Sequence, residues 1–137
     1  EESKTGKPFV GRAGKFLDKL LASIKIERKD IFITSPLKYY PGKRSIKSWE
    51  IEHGKIHLQK QIEVIQPKLI VLLGNTAIKA TLGKNYELLK IHGKVIRRGS
   101  IFYFPTFHPA AGMRFPKIKK LITEDFMKLE KIINKIL

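Results

Sequence analysis

The run Leu69-Ile70-Val71-Leu72-Leu73, bounded by Pro67 and Gly74, constrains this chain more than any other segment. A short run that is apolar at every position has no face to give to water, so it predicts a central parallel strand covered on both sides. Such a strand needs helices above and below it, and the chain supplies them. Residues 11–24 place Phe16, Leu17, Leu20, Leu21 and Ile24 on one helical face. A second helix is predicted over 48–65, with Ser48 as N-cap, Glu50 and Glu52 in its first turn, and Pro67 as its stop. Gly74-Asn75-Thr76 turns straight into a short helix ending near Gly83. Residues 94–98 and 101–105 pair as a hairpin around Gly99-Ser100. After His108-Pro109 comes an irregular basic segment, then an amphipathic helix over 118–136. Ile31-Phe32-Ile33-Thr34 completes the set as a short buried strand ended by Ser35-Pro36. Strands alternating with helices predict an α/β fold, a small central, mainly parallel β-sheet flanked by helices on both faces. Residues 1–137 make one domain on this reading.

Charge narrows the partners. Against 12 Asp and Glu stand 28 Lys and Arg, a formal net charge of +16 on 137 residues. An excess this large on so small a domain favours a polyanion, because basic side chains release counterions from phosphates. The competing explanation is a Lys- and Ile-rich proteome with a solvated surface. The chain contains no Cys, so disulfides and thiolate metal sites have no ligands in it. No apolar run approaches the length of a membrane span and no signal peptide is visible. The expectation is an intracellular protein, cytoplasmic or at the nucleoid.

Open α/β sheets bind ligands at the carboxyl ends of their strands. Here those ends carry Thr34-Ser35, Gly74-Asn75-Thr76 and Thr106-Phe107-His108. His108 is either a structural histidine satisfied by a backbone carbonyl or a rigidly placed donor to a developing anion, with Pro109 fixing the turn. Met113 and Arg114 read as an apolar wedge beside a phosphate-binding charge, or Met113 simply packs in the core. Phe9, in a Gly/Pro turn, is a core plug or a platform for a stacked base. The Gly74-Asn75-Thr76 turn offers backbone N–H groups to a phosphate. Tyr39, Tyr40, Lys43 and Arg44 mix rings with cations, and Lys4, Lys7, Arg12 and Lys15 add charge near the first turn. His53 and His57 lack a third ligand, and with His92 they read as surface residues.

Four ordered motifs carry a resemblance. They are Gly6-Lys7-Pro8-Phe9-Val10-Gly11-Arg12-Ala13-Gly14, Phe32-Ile33-Thr34-Ser35-Pro36-Leu37-Lys38, Ile65-Gln66-Pro67-Lys68-Leu69-Ile70-Val71-Leu72-Leu73-Gly74-Asn75-Thr76-Ala77, and Pro105-Thr106-Phe107-His108-Pro109-Ala110. Together they closely resemble family 4 of the uracil-DNA glycosylases, the thermostable iron–sulfur type, over essentially the whole chain. The resemblance implies hydrolysis of the N-glycosidic bond of a uracil flipped out of DNA. It implies that Phe9 stacks on the flipped base, that Glu2 crowds the uracil 5-position, and that His108 stabilises charge on the departing base. Met113 and Arg114 then fall in the loop that enters the duplex.

Three positions depart from the family pattern. Of the cluster's four cysteines, the later two fall at Tyr39 and Gly54, so no iron–sulfur cluster can form on this chain and no cofactor is expected. Ser35 stands where the family keeps an Asn, and a hydroxyl cannot make the amide's paired donor–acceptor contact. The N-terminal strand and the glycine-rich motif that positions water are expected ahead of Glu1. Two functions follow: a uracil-DNA glycosylase of base excision repair, or a catalytically degenerate glycosylase-fold subunit that grips DNA in a repair or replication complex. An RNA- or nucleotide-binding protein would explain the charge but not the ordered motifs.

Overall fold

The computed structural model describes residues 11–34 and 48–136. Helix α1 (Arg12–Ser23) leads to a 3-10 turn (Arg28–Asp30) and helix α2 (Ser48–Ile65). Strand β1 (Leu69–Leu73), helices α3 (Asn75–Thr81) and α4 (Leu88–Ile91), and strands β2 (Ile96–Arg98) and β3 (Ile101–Thr106) follow. Helix α5 (Pro109–Arg114) and the long helix α6 (Pro116–Ile136) close the order.

The strands form one mixed sheet in the order β1-β3-β2. β1 runs parallel to β3 with Val71 opposite Phe104 and Leu73 opposite Thr106. β2 runs antiparallel to β3, because the tight Gly99-Ser100 turn folds the hairpin back on itself. Among the described residues β3 is therefore the middle strand, and Leu69–Leu73 lies beside it rather than at the centre. The apolar run reports cover on both faces, which helices provide with β3 as its one strand neighbour among the described residues.

Side-chain alternation splits the core between those faces. On one, Phe104 and Phe107 pack with Phe16, Leu17, Leu20 and Leu21 of α1 and with Ile122, Phe126 and Leu129 of α6, while Leu69, Val71 and Leu73 lean on the same cluster. On the other, Leu72 and Tyr103 meet Ile78 and Leu82, with Ile70 and Ile101 alongside. Helices thus cover both faces, as expected.

Two expectations about local structure fail. Residues 31–34 are not a buried strand: Ile31 and Phe32 are exposed, Ile33 packs partly against the core, and the Thr34 hydroxyl donates to Gln61 Oε1 of α2 at 3.0 Å. A β-branched run favours extended backbone, but a strand also needs a ladder partner, which local pattern cannot provide. The segment after His108 is helical rather than irregular. His108 caps α5 with its own side chain and Pro109 presets the first turn. Gly112 is buried, and a carbon added there would stand 2.7 Å from Phe16 Cε2. Its bare backbone lets α5 lie close against α1. No helix among the described residues is long and apolar enough to cross a membrane.

Candidate active site

Because β1 and β3 are parallel and in register, their carboxyl ends reach the same edge of the sheet. The Gly74 N–H donates to the Thr106 carbonyl at 2.9 Å, joining the two ends. Gly74 has φ +93, and a carbon added there would stand 3.0 Å from His108 Cβ. Only glycine satisfies both the left-handed backbone and that approach. Of the turn proposed to hold a phosphate, the Gly74 N–H is thus already engaged, leaving Asn75 and Thr76 at the start of α3 as the members that can face a ligand.

His108 follows directly. Its Nδ1 accepts the Ala110 N–H at 3.0 Å, and its carbonyl accepts from Ala111 N–H at 2.9 Å. A ring nitrogen that accepts carries no proton, so the neutral imidazole bears its hydrogen on Nε2. The bend at buried Pro109 therefore sets both the direction and the tautomer of the ring. The ring is thus engaged structurally through Nδ1, by a backbone N–H rather than by the backbone carbonyl expected of a structural histidine.

Thr106 and His92 are placed otherwise than the residue pattern predicts. Thr106 does not present its hydroxyl to a ligand. It is fully buried and donates to Asp125 Oδ2 at 2.7 Å. His92 is not a surface residue, since its side chain is 19% exposed, its Nδ1 lies 2.9 Å from the same carboxylate oxygen, and its ring sits 4.7 Å from that of Phe107. Asp125 went unnoticed in the sequence although a signal was there: it is the acid inside the apolar stripe of Ile122, Phe126 and Leu129. Thr34, from the third proposed strand end, turns toward α2 instead of joining the other two.

The joint between α5 and α6 is exposed. Met113 is 42% exposed, which excludes the core role for it, and Phe115 beside it is 50% exposed. The Arg114 guanidinium lies 5.4 Å over the Phe115 ring, and Lys117, Lys119 and Lys120 are exposed on the first turns of α6. Phe115 escaped the sequence reading because an aromatic before Pro looks like core. Arg12 is exposed at the start of α1. Phe9, Ser35, Glu2, Lys43 and Arg44 lie outside the described residues, as do Tyr39, Tyr40 and the side chains of His53 and His57.

An iron–sulfur cluster of the kind the family resemblance implies requires thiolates. The 137 residues contain no Cys, and among the described residues no group of three or more His, Cys, Asp or Glu could hold a metal ion. The residues present do not fit the cluster.

Comparison with known proteins agrees with this geometry. The family model of the uracil DNA glycosylase superfamily matches residues 1–130. The type-4 uracil-DNA glycosylase of Sulfurisphaera tokodaii is 37% identical over 141 residues, covering 96% of this chain and 64% of that protein. The type-4 uracil-DNA glycosylase of Thermotoga maritima is 37% identical over 140 residues, covering 98% of this chain and 73% of its own length. A DNA polymerase of Bacillus phage SP01 is 31% identical over 135 residues, which are 97% of this chain but 14% of the polymerase. The chain thus spans about two thirds of the length of its glycosylase relatives. With matched motifs, a mixed sheet between helices, and a histidine-capped helix at the strand edge, the chain belongs to the uracil DNA glycosylase superfamily.

Proposed function

We propose that this protein hydrolyses the N-glycosidic bond of a uracil flipped out of DNA, the first step of base excision repair. The observation that carries the reading is the His108 tautomer. With Nδ1 accepting from Ala110, the neutral ring carries its hydrogen on Nε2. In the reaction the bond between the sugar and the base breaks, the base leaves as an anion, and water adds to the sugar carbon. A donor fixed in place for that anion lowers the barrier without reorganising, and removing one such donor from an enzyme costs about 10²–10³ in rate. Hydrolysis transfers no electrons, so the chemistry asks for no redox cofactor.

The other roles follow the family motifs. Phe9 stacks on the extruded base, Ser35 faces its polar edge and Glu2 crowds the 5-position. Met113, Arg114 and the neighbouring Phe115 enter the duplex where the base has left, a wedge whose exposure supports the role. Arg12, Lys43, Arg44, Asn75 and Thr76, with Gly74 and Pro109 shaping the backbone, hold phosphates on either side. The substrate is double- or single-stranded DNA, which places the protein at the nucleoid in the cytoplasm.

A second reading has its own support. The phage match covers nearly all of this chain within a small part of a DNA polymerase, and Ser35 departs from the family's Asn. A DNA-gripping subunit without catalysis would fit both. Incubation with matched oligonucleotides containing uracil or thymine, followed by alkaline cleavage and a gel shift, separates the two. Strand breaks at uracil alone support the glycosylase. A shifted but intact uracil strand supports the binding subunit and overturns the first reading.

A further inference from the structure

Every residue leading up to His108 is held from behind. The Pro105 carbonyl accepts the Gly93 N–H at 2.8 Å, and the Thr106 carbonyl accepts the Gly74 N–H at 2.9 Å. The Thr106 hydroxyl donates to Asp125 Oδ2, and the Phe107 ring lies against His92, whose Nδ1 reaches the same Asp125 oxygen. The Thr106 hydroxyl and His92 thus meet on one carboxylate, 1% exposed, on a helix that otherwise buries Ile122, Phe126 and Leu129. Gly93, at φ +74, closes over it: a carbon there would stand 2.5 Å from Asp125 Oδ1. A carboxylate in that stripe is a poor choice for stability alone, because apolar residues of similar volume commonly replace buried charges at no loss.

From this placement we infer that Asp125 is a positioning residue, which through Thr106 and His92 fixes the end of β3 and thereby the aim of His108 Nε2–H. The inference rests on the donor role proposed for His108. The ladder of β3 ends at Thr106, so beyond it the backbone depends on other anchors. A donor working on a developing anion must sit within a few tenths of an ångström of its place, and a misplacement of about 1 Å can cost ~10² in rate. The Asp125 network supplies the anchor where the sheet stops.

The test uses Thr106→Val, which removes the hydroxyl but keeps the shape, and Thr106→Ser, which restores the hydroxyl. Single-turnover uracil excision, duplex affinity by gel shift and thermal unfolding are measured for each. Thr106→Val is expected to slow excision about 10- to 100-fold with affinity unchanged, and Thr106→Ser to recover most of the rate. Combined with His108→Ala, Thr106→Val should cost nothing further, since its effect passes through His108. An equal loss in both backgrounds marks a general structural role and overturns the inference. His92→Phe, which keeps the ring but not Nδ1, should repeat the pattern if Thr106→Val fails to fold.

A second readout needs no activity. Long-range ¹H–¹⁵N correlation of the His108 ring should show the Nε2–H tautomer in the wild type and a mixture in Thr106→Val. If the wild type excises no uracil, the proposed function falls and this spectrum still decides the positioning. An unchanged His108 signal in Thr106→Val and His92→Phe overturns it.

Discussion

Gly74 and His108 meet so closely that a single added carbon on the glycine would stand 3.0 Å from the histidine Cβ. They belong to different strand ends, and their contact is where the two halves of the sheet edge become one site. The sheet edge and the cap of α5 meet at this approach.

Gly74→Ala tests it. An alanine at φ +93 is strained and crowds His108 as well, so unfolding in urea should show a loss of about 1–3 kcal/mol. Excision should fall by more than the stability loss explains at temperatures where the protein stays folded. An unchanged midpoint would show that the turn relaxes freely.

Gly112→Ala probes the other close approach. The new carbon would stand 2.7 Å from Phe16 Cε2 on α1. Overpacking of this kind costs roughly 1–3 kcal/mol, visible as a lower denaturation midpoint. Because α5 carries the His108 cap at its start, excision should weaken together with stability.

Met113→Ala and Phe115→Ala should behave in the opposite way. Both side chains are exposed, so stability should stay within about 0.5 kcal/mol of the wild type. Excision from a uracil-containing duplex should drop while excision from a single strand holds, since a single strand has no stacked gap to fill. Equal losses on both substrates would remove the wedge role.

Arg114→Ala addresses charge. If Arg114 contacts one phosphate, a plot of log affinity against log salt should flatten by about 0.9. An unchanged slope would assign Arg114 to its stack on Phe115 rather than to DNA.

Much of this was legible in the residues. The apolar run at Leu69–Leu73, the hairpin at Gly99-Ser100 and the stripes of α1 and α6 are local patterns with local physical causes. Each became a strand or helix as predicted, although Leu69–Leu73 lies beside the middle strand of the described sheet. His108 at a strand end was visible for the same reason. What escaped were relationships between distant segments. Nothing near Asp125 says that its partners are Thr106 and His92, 19 and 33 residues away. Residues 31–34 have a strand's composition, but composition does not name a ladder partner. The segment after His108 reads as irregular because what holds it, including the Phe16 ring against Gly112, lies on another helix.

For the proposed action of His108 Nε2–H on the departing base, the decisive measurement is single-turnover release of uracil by His108→Ala. Excision should fall about 10²–10³-fold while a gel shift shows DNA affinity within twofold of the wild type. A variant that binds DNA normally and excises uracil at the wild-type rate would take the donor role from His108.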